Sequence, residues 1–262
     1  MSKMMGGGMH FGFCGNVEDW DAAQAAGFDY LELPLSVLVT LPEAAWEAVK
    51  QQGFSHHLPV YSCNLFYPKT MNLYTVSETD HEAYLRQAFG RMEQLGARMA
   101  VFGSGGSRRF PLLMKENDAR SLLANRMQTA SEIAGDYHVQ IAIEPLFHGE
   151  TNAVTTVKDA VQFATMVDRP NFGIAPDIYH MMCEQEPWED LDGAGTLVTH
   201  AHIATRGERR FPTTMDQDIN AFLSHLERIG FRGAISIDAK TDALLQDGKA
   251  ALSVLRGFSF SH

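Results

Sequence analysis

The chain has 262 residues, of which 45% are hydrophobic and 20% are charged, and its formal net charge at pH 7 is −11. This length suits one α/β barrel, and the absence of a polar low-complexity tract excludes a mainly disordered protein. The acidic balance disfavours a nucleic-acid partner, and no apolar run approaches the roughly 20 residues that a membrane span needs.

The amino terminus and the cysteines indicate the expected cellular setting. Residues 1–9 are rich in Met and Gly and lack the apolar segment of a secretory signal, which predicts a disordered leader before one domain over residues 10–262. Cys14, Cys63 and Cys183 lie far apart, which argues against a disulfide framework and against a cysteine zinc site. We therefore expect reduced thiols and a cytoplasmic protein.

Apolar runs and amphipathic segments alternate along the whole chain. In chain order, the predicted strands cover residues 10–15, 30–35, 59–66, 98–103, 139–145, 171–177, 198–205 and 234–240. The predicted helices cover residues 19–27, 42–52, 79–95, 117–137, 157–167, 216–230 and 242–258. Strands that alternate with helices pair in parallel, and eight such strands in about 250 residues predict a single-domain (β/α)8 TIM barrel.

A doubly wound open sheet is the competing architecture, and it would carry a phosphate-binding fingerprint after its first strand. The turn there reads C-G-N-V over residues 14–17, which is no such fingerprint. The run G-S-G-G-S at residues 103–107 opens no helix at once, so it is only a weak phosphate-cradle signal. It fits either a mobile loop or a contact to a substrate anion, in which case Arg108 and Arg109 would suit an acidic substrate.

Polar side chains stand at the carboxyl ends of the last four predicted strands. Glu144, Asp177 and Asp238 lie at or near the ends of the fifth, sixth and eighth strands, and His202 lies in the seventh. In a barrel, functional groups sit at these ends, and neighbouring strands can bring them to one point. Three carboxylates at one point would repel each other unless a cation lay between them, so these residues predict a divalent metal site.

The donor atoms narrow the choice of metal. Oxygen and nitrogen donors without sulfur favour Mn²⁺ and leave Mg²⁺, Co²⁺ and Zn²⁺ as alternatives. A structural zinc site would carry cysteines or more histidines. The alternative is that both residues have only structural roles: Asp177 would cap a turn, and His180, three residues on, would be an ordinary surface or core histidine.

Four segments resemble the xylose isomerase-like barrels, a superfamily that includes sugar isomerases, ketose 3-epimerases and hydroxypyruvate isomerase. They read I-A-I-E-P with Asn152 after it, D-I-Y-H, H-I-A and I-S-I-D, and the resemblance covers residues 10–255. The resemblance implies four metal ligands: Glu144, Asp177, His202 and Asp238. It also implies that Glu144 and Asp238 form the proton-transfer pair.

The resemblance further implies substrate contacts, and the chain departs from the family pattern in two ways: the segment T-R-G-E-R-R-F-P after the seventh strand is one residue longer, and the eighth strand ends in Asp238. His180 would contact the substrate, and Arg210 is favoured over Arg206 and Arg209 as the arginine that binds substrate after the seventh strand. The family pattern usually ends the eighth strand in Glu. Asp238 is one methylene shorter, which leaves its reach to the metal or to a substrate carbon open.

Three more polar residues are candidates from the first half of the chain. His57 lies next to the third predicted strand and Asn64 near its end, and both are candidates for lining the substrate pocket, with an ordinary loop or core position as the alternative. Glu32 is a lone acid in an apolar strand, and we expect it to face the mouth of the barrel.

Together these residues predict a divalent-metal-dependent isomerase or epimerase of a small sugar, sugar acid or sugar phosphate, working through an enediolate with a carboxylate acid/base pair. A dehydratase like inosose dehydratase and a non-catalytic sugar-binding barrel are the alternatives. An endonuclease-type phosphodiesterase is disfavoured, since it would need more histidines on strands two to four and a less acidic chain. Barrels of this family are often dimers or tetramers, so a homo-oligomer is compatible with the resemblance.

Overall fold

A computed structural model describes residues 8–259, so residues 1–7 of the predicted leader lie outside the described part. The strands are β1 (His10–Cys14), β2 (Tyr30–Pro34), β3 (Val60–Asn64), β4 (Met99–Phe102), β5 (Gln140–Ile143), β6 (Phe172–Ile174), β7 (His200–Ile203) and β8 (Ala234–Ile237). The helices are α1 (Trp20–Ala26), α2 (Leu35–Thr40), α3 (Glu43–Ser55), α4 (Glu78–Leu95), α5 (Glu116–Asp136), α6 (Val157–Val167), α7 (Ile178–Glu184), α8 (Asp190–Ala194), α9 (Gln217–Arg228) and α10 (Leu244–Arg256). None of these helices is long and apolar enough to cross a membrane.

The strands pair in parallel as one sheet in the order β6-β5-β4-β3-β2-β1-β8-β7. Two isolated bridges span the remaining gap between β6 and β7. They join Ile174 to Val198 and Asp177 to His202, and the His202 N–H donates to the Pro176 carbonyl at 2.9 Å. The prediction of an α/β (β/α)8 TIM barrel is therefore confirmed, with the barrel nearly closed.

Local sequence signals fix the helix ends. Ser77, Thr156 and Asp216 cap the first turns of α4, α6 and α9, because each side chain accepts a hydrogen bond from a backbone N–H three residues on. Gly27 and Gly96 end α1 and α4 in the left-handed conformation that glycine adopts without steric cost. The N-terminal caps therefore define where the helices begin, and the two glycines define where α1 and α4 end and the chain turns towards the next strand.

Alternation along each strand separates two layers of side chains. One face packs against the helices in the main core, which buries large side chains such as Trp20, Phe89 and Phe222. The other face fills the barrel interior, where Met99 and Val101 belong to a second, smaller apolar cluster. Burying apolar area in both layers is the main force that stabilises the barrel.

The main difference from the predicted elements lies around the sixth strand. β6 ends at Ile174 instead of residue 177, and α7 begins at Ile178. The chain turns at Pro176, which cannot donate to a strand ladder, and the Asp177 side chain then accepts from the Tyr179 N–H at 2.7 Å. His180 therefore lies in the first turn of a helix that the sequence patterns did not predict.

Candidate active site and metal centre

Four predicted strand-end residues meet at the carboxyl end of the barrel. Glu144 and Asp238 directly follow β5 and β8, Asp177 precedes α7, and His202 lies in β7. One oxygen or nitrogen atom of each residue lies within 4.8 Å of those of the other three. The Nδ1 atom of His202 is 2.8 Å from Glu144 Oε1 and 3.9 Å from Asp238 Oδ2.

The electrostatics of this group are strongly coupled. Burial alone would raise the pKa of Glu144, but the charge and hydrogen bond of His202 hold that pKa at about 2. Burial would lower the pKa of His202, but the nearby Cys14, Glu32 and Glu144 raise it well above its ordinary value. The pKa of Asp238 rises to about 6, because burial and the charges of the other two carboxylates outweigh the cations beside it. Positive charge therefore stabilises this group.

A divalent cation fits the donors present. Three carboxylates and one imidazole nitrogen are ligands that Mn²⁺, Mg²⁺, Co²⁺ or Zn²⁺ can use, and no ranking among them follows from the geometry. The carboxylates already attract a cationic side chain, since Nη2 of Arg209 lies 3.0 Å from Asp177 Oδ2 and 2.5 Å from Asp238 Oδ2. The chemistry of the donor set is thus compatible with a bound metal ion.

The end of β4 is fitted closely around Glu144. An added Cβ at Gly103 would lie 1.9 Å from Glu144 Oε2, so only glycine leaves room for this carboxylate. The buried Arg108 donates to the carbonyls of Phe102 and Glu144 at 2.6 and 2.5 Å. Arg108 therefore holds the backbone at the ends of β4 and β5, which corrects the expectation that it faces a substrate anion. Arg109 donates to the Gly149 carbonyl at 3.3 Å.

His180 lies beside the four residues, on α7. Its side chain is buried, and its Nδ1 accepts a hydrogen bond from the Phe147 N–H at 3.3 Å. Its other nitrogen, Nε2, lies 3.7 Å from Asp177 Oδ2. Because Nδ1 acts as an acceptor, the ring proton belongs on Nε2, on the side of the carboxylates.

The structure places Arg209, and not Arg210, at the site. Arg210 forms a parallel bridge with Lys240, whereas Arg209 before it has a φ of 53°, in the left-handed region. Arg209 contacts Asp177 and Asp238, and its guanidinium lies over the Tyr179 ring at 4.8 Å. Arg210 points outward to Asp242 at 3.0 Å, so its predicted contact with substrate is not supported by its position.

The other two predicted substrate residues lie at opposite ends of β3. His57 precedes the strand, is exposed, and its backbone N–H donates to Gln24 at 2.8 Å. This is the amino end of the barrel, so the position of His57 does not support its predicted place at the pocket: proximity to a strand in sequence did not specify which end. Asn64 ends β3 on the correct side, and its buried Oδ1 has no hydrogen-bond partner within residues 8–259.

Two cavities help to locate the substrate end. A cleft of about 170 Å³ adjoins Gly103 and is lined also by Lys69, Ser104 and Glu150. A larger cavity of about 600 Å³ opens at the amino end beside His10. Of these two cavities, the smaller one is at the carboxyl end of the barrel, because Gly103 in its lining packs against Glu144. Lys69 and Glu150 were not identified from the sequence, because neither lies at a strand end.

Two further residues beside His202 were missed or misplaced. Cys14 Sγ lies 3.8 Å from His202 Nε2, at the end of β1. Burial raises the pKa of the Cys14 thiol well above its usual range. Glu32 does not face the mouth of the barrel: it is fully buried below the site, with its Oε1 3.0 Å from His202 Nε2. The signal that could have placed it is the pair His200 and His202, whose side chains share one face of β7.

Comparisons with known proteins give a consistent result. A family model described as a xylose isomerase-like TIM barrel matches residues 20–258. The L-ribulose 3-epimerase of Methylomonas sp. (strain DH-1) is 27% identical over 241 residues, which covers 84% of this chain and 80% of the relative. The inosose isomerase of Bacillus licheniformis is 24% identical, with 84% and 82% covered. A crystal structure of D-allulose 3-epimerase from Methylomonas sp. in complex with D-allulose has a TM-score of 0.80 at 21% identity and covers 96% and 97%.

Proposed function

Because the chain belongs to the xylose isomerase-like TIM barrel family, we propose that it is a divalent-metal-dependent isomerase or epimerase of a small sugar, sugar acid or sugar phosphate. Relatives that align over 84% of the chain are named L-ribulose 3-epimerase and inosose isomerase, which supports the reaction class. The observation that carries the proposal is the convergence of Glu144, Asp177, His202 and Asp238 at the functional end of the barrel.

These four residues would hold the metal ion, and Glu144 and Asp238 would also move protons. A bound divalent cation would polarise the carbonyl of a hydroxyketone and so stabilise the enediolate that forms when the neighbouring carbon loses its proton. Glu144 comes from β5 and Asp238 from β8, two strands separated by β6 and β7. The two carboxylates can therefore approach one substrate carbon from different directions.

The direction of proton return decides the product. One carboxylate removes the proton from the carbon beside the carbonyl, and the other returns a proton from its own side. Return to the same carbon inverts that centre and gives an epimer, whereas return to the neighbouring carbon gives an isomer. In this scheme, the cationic Arg209 and the Nε2–H of His180 donate to substrate oxygens, and Asn64 Oδ1 accepts from a substrate hydroxyl.

The test is hydrogen exchange with metal replacement. The protein is stripped with a chelator and restored with Mn²⁺, Mg²⁺, Co²⁺ or Zn²⁺. NMR spectra in D₂O then follow free and phosphorylated ketoses, hydroxypyruvate and inositol-derived ketones. We expect metal-dependent deuterium entry at a carbon beside the carbonyl, and loss of that exchange in Glu144→Gln.

The products also separate the alternatives. An epimer or isomer that carries deuterium supports the proposal, whereas loss of a hydroxyl identifies a dehydratase. Tight binding of a sugar without any exchange would identify a non-catalytic sugar-binding protein. A Glu144→Gln variant whose turnover stays within a few-fold of the parent would contradict the acid/base role.

A further inference from the structure

We propose that Glu32, inside the barrel, is a positioning residue that fixes the ring of His202 so that Nδ1 faces the metal site. The inference rests on the proposed function, because it concerns how that site binds its cation. Glu32 is not itself in the group of four: it lies on β2, on the other side of the His202 ring. Residues that hold the second nitrogen of a metal-binding imidazole commonly set its orientation.

Each nitrogen of His202 faces a different carboxylate. Nε2 lies 3.0 Å from Glu32 Oε1, and Nδ1 lies 2.8 Å from Glu144 Oε1. An ionised carboxylate only accepts hydrogen bonds, so the contact with Glu32 keeps a proton on Nε2. Without a cation, Glu144 holds a proton on Nδ1 in the same way. A bound divalent cation would displace that proton, whereas Glu32 retains the proton on Nε2, so Nδ1 would be the nitrogen that binds the cation together with Glu144, Asp177 and Asp238.

The second oxygen of Glu32 is held by three more groups. Oε2 lies 2.9 Å from His200 Nε2 and accepts from the hydroxyls of Ser62 and Ser236 at 2.5 and 2.6 Å. The Tyr30 hydroxyl lies 2.8 Å from Ser236 Oγ and completes the network. The groups that contact the carboxylate come from β3, β7 and β8, so it is fixed from three strands other than its own.

The proton positions in this network are mutually consistent. Nδ1 of His200 is buried and has no hydrogen-bond partner among residues 8–259, whereas Nε2 faces Glu32. With the proton of His200 on Nε2, this N–H donates to Glu32, and only Nδ1, an acceptor, is left without a partner. With both serine hydroxyls donating as well, Glu32 accepts four hydrogen bonds, which matches the capacity of an ionised carboxylate.

This capacity explains why a glutamine would not suffice. Glu32→Gln keeps the shape of the side chain but replaces one acceptor oxygen with an NH₂ group that donates. If the NH₂ group faces His202, it opposes the Nε2–H; if it faces the other side, it opposes His200 and the two serines. In the first orientation, the His202 ring loses the acceptor for its Nε2–H. In the second, the amide loses the three partners that fix it, so its remaining oxygen no longer holds the His202 ring in one position.

The test compares metal affinities, measured by isothermal titration calorimetry with Mn²⁺ and Co²⁺. Removal of such a positioning group typically weakens metal binding by about 10–100-fold, and we expect that loss in Glu32→Gln. Glu186→Gln is the matched control, because it makes the same change at a carboxylate that lies outside the group of four and accepts a hydrogen bond from the Val157 N–H at 2.7 Å. The control should bind metal within about twofold of the parent, because the substitution leaves the four proposed ligands and Glu32 unchanged.

Two more measurements keep the inference falsifiable if Glu32→Gln folds poorly. Glu32→Asp keeps the charge but shortens the side chain, and it should weaken metal binding as well. The visible absorption spectrum of the Co²⁺-loaded variants should shift relative to the parent, because the imidazole ligand is reoriented. This shift would not accompany a merely structural role.

The outcomes separate the inference from the proposed function. A parent protein that binds metal, with folded Glu32 variants that bind it equally well and give an unchanged Co²⁺ spectrum, would overturn the role of Glu32 and leave the proposed function intact. A parent protein that binds no divalent cation would overturn the proposed function and the inference together.

Discussion

Gly103→Ala is the substitution whose effect the geometry defines most sharply. The added Cβ would lie 1.9 Å from Glu144 Oε2 and 3.1 Å from Cδ, whereas ordinary contact begins at 3.4 Å. The carboxylate oxygen must therefore move by about 1.5 Å. Glu144 is buried, and its other oxygen, Oε1, lies 2.8 Å from His202 Nδ1. Moving the carboxylate therefore disturbs this hydrogen bond and the position of Glu144 among the proposed metal ligands.

The expected cost follows from that displacement. A misplacement of about 1 Å at a reacting group can lower the rate by about 100-fold, so we expect at least this loss in kcat for Gly103→Ala. Metal affinity should fall by about 10-fold or more, since Glu144 is also a proposed ligand. The φ angle of Gly103 is not positive, so the backbone itself is not strained, and the free energy of unfolding should fall by about 1–3 kcal/mol, the usual cost of overpacking a buried site.

The assay measures metal affinity by calorimetry, turnover by deuterium exchange, and unfolding by chemical denaturation. Gly135→Ala is the matched control, because Gly135 lies in α5, outside the site, and an added Cβ there meets no atom within 4 Å. We expect this control to retain parental affinity and turnover. If Gly103→Ala also retains both, Glu144 does not occupy the reacting centre as the structure places it.

Arg209→Gln should lower kcat/KM by at least about tenfold, since Arg209 contacts Asp177 and Asp238, whereas Arg210→Gln should change it by less than about twofold in the same steady-state assay. Equal effects of the two substitutions would contradict the placement of Arg209. Burial raises the pKa of Glu186 from 4.5 to about 7, so the native state retains a proton that the unfolded state loses, and stability falls as pH rises through this range. The free energy of unfolding of Glu186→Gln, measured by chemical denaturation, should therefore exceed that of the parent by about 1 kcal/mol at about pH 8 and equal it at about pH 4. A stability difference that grows as the pH falls would contradict this pH dependence.

The barrel and its strand ends could be predicted because they depend on local patterns. Alternating apolar strands and amphipathic helices specify parallel pairing, and Glu144 and Asp238 each directly follow an apolar strand. Neighbouring strands of a closed barrel then have to bring these ends together. The extra helix α7 was not predicted, because its start depends on the turn at Pro176 and on the cap that Asp177 forms.

The remaining site residues depend on three-dimensional detail that alternation does not contain. The strand pattern indicates which face Glu32 lies on but not its depth, and the structure places it under His202 instead of at the barrel mouth. The choice between Arg209 and Arg210 depends on a loop backbone in which Arg209 has a φ of 53°. No sequence spacing specifies that conformation.

The most direct test of the central claim is the position of a bound metal ion. Anomalous diffraction from crystals of the Mn²⁺-loaded protein would locate it without reference to any substrate. We expect one peak within about 2.0–2.6 Å of donor atoms of Glu144, Asp177, His202 and Asp238, with Nδ1 as the histidine ligand. A peak elsewhere, or the absence of any peak at the carboxyl end of the barrel, would contradict the proposed metal centre.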